Sequence, residues 1–171
     1  MLDQHQVPPG DDHDGSGPAN RRKGDHQLAA AKRYAQAYVE ALSQEEILPL
    51  LQYLPTLGKT TTVILHGGSV FEFKGVFPEG SIANGFYNLD GNGLGFEGHL
   101  NLEQLHRVVF QDRPHRGRAS YAFVFQREDG KIVFKVFLGR DVDGEIFEDQ
   151  LQFFNALRES GQMPVDGGAT Q

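Results

Sequence analysis

Residues 59–102 read KTTTVILHGGSVFEFKGVFPEGSIANGFYNLDGNGLGFEGHLNL, and the division of this stretch decides the fold. Gly67-Gly68, Pro78-Glu79-Gly80 and Asp90-Gly91-Asn92-Gly93 are turn signals, and the four segments between and around them read as short strands of an antiparallel meander. Gly67-Gly68 can supply the two positive-φ positions of a tight hairpin, which sets His66 opposite Ser69 at the end of a two-strand ladder. On the last strand Leu94, Phe96, Gly98, Leu100 and Leu102 share one face, and Gly95, Glu97, His99 and Asn101 share the other. His99 therefore starts on the less apolar side. His66, Tyr87 and His99 are expected on neighbouring strands of one small sheet, which makes that sheet the place to look for chemistry.

Outward from this stretch the pattern stays consistent. EQLHRVVFQDR (103–113) reads as a strand, and ASYAFVFQ (119–126) and KIVFKVFLGR (131–140) form a second hairpin about Glu128-Asp129-Gly130. From Asp141 the period turns helical, with Phe147, Leu151, Phe154 and Arg158 on one stripe and Ile146, Phe153 and Leu157 beside it. Upstream, residues 26–42 from the cap Asp25 suit a surface helix with Leu28, Ala31, Ala35, Tyr38 and Leu42 on one stripe. Ser43-Gln44-Glu45-Glu46 is a capping-box pattern opening a second, short helix through Leu54, with Pro55 as its stop. Residues 1–24, rich in Pro, Gly, Asp and Asn, read as a disordered tail that includes His5 and His13, and residues 161–171 as a frayed end. The expectation is one α+β domain over residues 25–160, a large, mainly antiparallel β-sheet flanked by helices.

Composition excludes several classes. With no Cys among 171 residues there are no disulfides, thiolate metal sites or cysteine nucleophiles, which suits a reducing cytoplasm. No apolar run reaches the roughly 20 residues of a membrane span, and the N-terminus lacks the pattern of a signal peptide. A formal charge of -7 argues against nucleic acid as the main partner. Gly58-Lys59-Thr60 ends like a phosphate-cradling loop, but the leading Gly would fall on Tyr53; Gly91 and Gly93 miss the dinucleotide fingerprint, whose third Gly would fall on Phe96. Asp141, Asp143 and Glu145 lack the closing Glu of a calcium loop, since Gln152 stands there, and read instead as acids at a helix start. No Gly-x-Ser-x-Gly elbow or His-Glu-x-x-His pair occurs. Positive charge gathers locally in Arg113-Pro114-His115-Arg116-Gly117-Arg118, a loop suited to carboxylates or phosphates.

Three strings carry a resemblance: Phe86-Tyr87-Asn88-Leu89, the Gly95-x-x-Gly98-His99 run, and Lys135-Val-Phe-Leu-Gly-Arg-Asp141 before a Gln/Phe-bearing helix. In this order and spacing the chain resembles, from about Thr60 to Leu157, the HutX/ChuX family of cytosolic haem-utilisation carrier proteins. The resemblance implies one half of the HemS-type haem proteins as fold, pairing into a homodimer, haem as the transported ligand, and release to a downstream haem-using or haem-degrading protein. By the same resemblance His99, His66 and Tyr87 are the haem-associated residues. His66 stands one position late relative to the Thr-Thr pair, and the order Phe86-Tyr87 raises the same question of parity along a strand. Ferric haem accepts neutral imidazole or phenolate axially, and Arg113, Arg116, Arg118 or Lys135 can pair with its propionates; no metal other than haem iron is called for. No acid/base set for catalysis stands out, so a non-enzymatic carrier is expected, the alternative being a haem-oxygenase-like enzyme using the same pocket.

Overall fold

The computed structural model describes residues 38–165. The tail at 1–24 with His5 and His13, most of the helix expected from Asp25, and residues 166–171 lie outside the described residues. Nine strands and two helices follow in order: β1 (Ala41–Leu42), α1 (Ile47–Tyr53), β2 (Lys59–His66), β3 (Ser69–Val76), β4 (Glu79–Ala83), β5 (Phe86–Asp90), β6 (Gly98–Asn101), β7 (Arg107–Asp112), β8 (Tyr121–Gln126), β9 (Ile132–Phe137) and α2 (Glu148–Ser160). They build a six-stranded sheet in the order β1-β7-β8-β9-β2-β3 and a three-stranded sheet β4-β5-β6, every pairing antiparallel.

The α+β class and the antiparallel sheet are as expected, while the meander is not one sheet. Gly67 and Gly68, at φ 56° and 76°, make the tight turn that sets His66 against Ser69. A turn that the expectation passed over, Asn84-Gly85 at φ 54° and 79°, splits the third segment into β4 and β5. Beyond Val76 the chain leaves the first sheet and starts the second. The last strand is also shorter than expected, because residues 91–97 form a loop, at whose start Asp90 Oδ1 accepts from the Asn92 amide. Phe96 of that loop stacks on Phe73 with centroids 4.5 Å apart, while Leu94 is exposed.

Other boundaries move for local reasons. Ala41 and Leu42 end no helix: they pair with Val109 and Val108, and the burial of Leu42 outweighs the helical propensity of the segment. The capping box is not made, since the Glu46 carboxylate accepts instead from the Met163 amide at 2.7 Å. α1 ends at Tyr53, ahead of Pro55 as expected, but the chain continues as a 3-10 turn over Leu54–Leu57 that ends at Gly58 with φ 80°. Asp141 starts no helix either; its Oδ1 accepts from the amides of Asp143 and Glu145 at 2.9 Å and closes a turn, so the helix begins at Glu148.

The core lies on one face of the six-stranded sheet. Phe123, Phe125, Phe134, Val136 and Val108 meet Phe154 and Leu157 of α2 and Leu50, Leu51 and Leu54 around α1. The three-stranded sheet adds Tyr87 and Leu89 to the same core. The opposite face carries two register rows: Val63, Lys135, Val124 and Val109, then Thr61, Phe137, Ala122 and Gln111.

Candidate functional site

The outer rows of the six-stranded sheet form the floor of a cavity of about 720 Å³, within the range of small-ligand sites. Val63 from β2, Phe137 from β9 and Ile146 from the loop before α2 supply its apolar surface. Arg113, Arg116, Arg118 and Lys135, the four cations singled out from the sequence, all line it, joined by Lys59, Lys74 and Arg140 and faced by one carboxylate, Glu72. The arginine loop is shaped for this by Arg116 and Gly117, at φ 50° and 75°, which let His115 and Arg118 bond to each other across the turn. Arg140 anchors the rim by donating to the Gly144 carbonyl at 2.9 Å and to that of Ala119 at 2.5 Å. Lys135 donates to Gln111 Oε1 at 2.8 Å. Burial, and then the nearby Arg113 guanidinium, push the Lys135 ammonium below its ordinary range. Cations crowded in this way favour an anion among them.

The three predicted iron-side residues are not in this cavity, and no residue of β4, β5 or β6 lines it. His99 stands on the open face of the three-stranded sheet opposite Asn88, with its Nδ1 2.5 Å from Asn88 Oδ1 and the exposed Phe86 ring 6.3 Å away. Tyr87, one residue from Asn88, faces the other way and is 1% exposed. Gly80 lies flat against its ring, where a Cβ would meet the ring carbons at 2.6–2.7 Å. Burial first, then the Glu79 carboxylate, raise the Tyr87 phenol above its ordinary value, against a weaker opposing hydrogen bond at Gly80. His66 is exposed at the end of β2, in the six-stranded sheet rather than beside His99. Tyr87 and His99 thus stand on neighbouring strands of the small sheet as expected, though on its opposite faces, and His66 alone belongs to the other sheet. His115, named in the sequence only as part of a charged loop, lines the cavity together with these cations. Nothing local in the sequence marked Lys59, Lys74 and Arg140 as partners on one rim, since strand pairing brings them there.

Comparison with known proteins places these features in context. The family model for haem utilisation proteins of the ChuX/HutX type matches residues 40–157. The intracellular heme transport protein HutX of Vibrio cholerae serotype O1 is 39% identical over 110 residues, which are 64% of this chain and 57% of that protein. The chain thus spans little more than half the length of this curated relative. A crystal structure of a protein from Erwinia carotovora superposes with a TM-score of 0.68 at 27% identity, covering 74% of this chain and 78% of the other. The heme degrading enzyme ChuS of Escherichia coli O157:H7 superposes with a TM-score of 0.58 at 17% identity, over 71% of this chain and 36% of ChuS, so that the fold matches part of a longer protein.

Proposed function

This chain belongs to the ChuX/HutX haem-utilisation family, and from that premise we propose that it is an intracellular haem carrier, which takes up imported haem and passes it to a haem-using or haem-degrading protein. One haem binds per subunit, and the chain performs no chemistry on it. The name of the Vibrio cholerae relative, a transport protein, supports carriage over degradation.

The observation that carries the reading is the setting of His99. Of the three predicted ligands it is the one that stands exposed with a fixed partner on Nδ1, leaving Nε2 open to an axial position on iron, while Phe86 offers an apolar contact for the macrocycle. Tyr87 can serve as a phenolate ligand only if the small sheet opens, because burial and Glu79 hold its proton. His66 is exposed at the end of β2, in the other sheet. A second reading is favoured by the convergence of cations: Arg113, Arg116, Arg118 and Lys135 take the propionates, and His115 supplies the axial imidazole within the same cavity. Either seat is open enough for release to a partner.

The assembly is proposed to be a homodimer. β3 is an edge of the six-stranded sheet, and Val70, Phe71 and Val76 on it, with Leu65 on β2, are at least half exposed, an apolar edge that a second copy can cover. Light scattering that gives a monomer at about tens of micromolar, where stable dimers persist, would count against it.

Hemin titration followed at the Soret band tests the site. His99→Ala is expected to bind about tenfold more weakly or worse, the loss of about 1.4 kcal/mol or more, and to change the spectrum, with Tyr87→Phe unchanged. Wild-type behaviour of His99→Ala, together with weak binding by the Arg113→Ala/Arg118→Ala double variant, would move haem to the cavity. Biliverdin or another open-chain tetrapyrrole accumulating with ascorbate, with catalase present, would overturn the carrier assignment in favour of a haem-oxygenase-like enzyme.

A further inference from the structure

We propose that Asn88 is a positioning residue that fixes the neutral His99 imidazole as its Nδ1–H tautomer and so makes Nε2 the nitrogen offered to iron. The iron half of this rests on the haem reading above; the tautomer half stands without it.

Asn88 occupies the middle strand of the small sheet, paired with Ser81 on one side and His99 on the other. Its Nδ2 lies 3.3, 3.2 and 3.3 Å from the carbonyl oxygens of Ser81, Ala83 and Phe86. Carbonyl oxygens only accept, so the amide nitrogen, with two hydrogens shared among the three, must be the atom that faces them. Turning the amide over would set its oxygen against three others. Oδ1 is therefore the atom 2.5 Å from His99 Nδ1, and because an amide oxygen cannot donate, Nδ1 must carry the proton. In the neutral ring the lone pair then sits on Nε2. The orientation originates in the hairpin turn: Ala83 and Phe86 flank Asn84-Gly85, whose positive φ angles bring their carbonyls to one side chain. A turn chosen by two residues thus sets which nitrogen of a third, fourteen and fifteen positions on, is free.

Partners of this kind on a ligating histidine are worth about 10–100-fold in metal affinity. The test uses the full-length apo protein labelled with 15N-histidine, above the imidazole titration range at about pH 8, with long-range 1H–15N correlation to read both ring nitrogens. Wild type is expected to show a protonated Nδ1 and an unprotonated Nε2 at His99. Asn88→Ala should populate both tautomers. In hemin titration Asn88→Ala should bind about 10–100-fold more weakly. An unprotonated Nδ1 in wild type overturns the proposal without recourse to any variant. An Asn88→Ala protein that keeps the Nδ1–H tautomer overturns the role of Asn88. A tautomer that shifts while hemin affinity and spectrum stay unchanged upholds the Asn88–His99 coupling and removes His99 as the iron ligand.

Discussion

Gly139→Ala is expected to abolish stable folding at ordinary temperatures. Gly139 follows β9 where the chain crosses the start of β2, and a Cβ there would overlap the Lys59 carbonyl oxygen and press on the Phe147 ring at 3.1 Å. The obstacle is backbone, so no rotamer change relieves it. β9 and β2 would have to part, at the one junction that joins the β7-β8-β9 half of the sheet to the β2-β3 hairpin. Overpacking usually costs about 1–3 kcal/mol, and with backbone as the obstacle the cost here is expected to exceed about 3 kcal/mol, a large part of a typical domain's stability. Urea unfolding measures it; a midpoint equal to wild type would mean that the two strands can step apart at no cost.

Gln150→Leu has the second largest expected effect. Gln150 is 1% exposed on the inner face of α2, and its amide ties three separate segments together. Oε1 accepts from the Gly139 amide at 2.7 Å, and Nε2 donates to the carbonyls of Leu57 and Lys59 at 2.9 Å. Leucine has nearly the same volume but leaves one buried donor and two acceptors without this partner. At about 1–3 kcal/mol for each orphaned group, less whatever the carbonyls recover through other bonds, the loss is expected to be about 3–5 kcal/mol. Thermal unfolding checks this, and Gln150→Glu should fare no better, because a carboxylate would set an acceptor against two acceptors. A melting temperature within a few degrees of wild type for both variants would remove the amide from its structural role.

These two residues bear on how much was legible in the sequence. Lys135–Asp141 and the Gln/Phe-bearing helix carry the resemblance to haem proteins, yet within them Gly139 and Gln150 join strand to helix. Strand existence and facing were readable because period-two alternation and Gly67-Gly68 are local signals, and His66 does oppose Ser69. The second sheet was not readable in the same way. Leaving β3 for β4 depends on what each strand can pair with far along the chain, and Asn84-Gly85, a local hairpin signal that was legible, went unused. The site divided along the same line. Parity along single strands placed His99 on an open face, but the meeting of Lys74, Arg113, Lys135 and Arg140 at one rim follows from long-range pairing.

The pairing of β2 with β9 has a consequence for the order in which the chain can acquire its shape. Thr61 pairs with Phe137 and Val63 with Lys135, so β2 waits for more than seventy later residues before its inner edge is covered. On the ribosome the β2-β3 ribbon and the β4-β5-β6 sheet emerge before β9, with Thr61, Thr62 and Val63 of β2 still unpaired on one side. The large sheet closes only when β9 has been made, and α2 with Gln150 arrives last to lock the seam. A chain halted before Ile132 would therefore carry two unjoined pieces of the large sheet, β2-β3 and β1-β7-β8, with uncovered edges, the form most exposed to aggregation and to proteases.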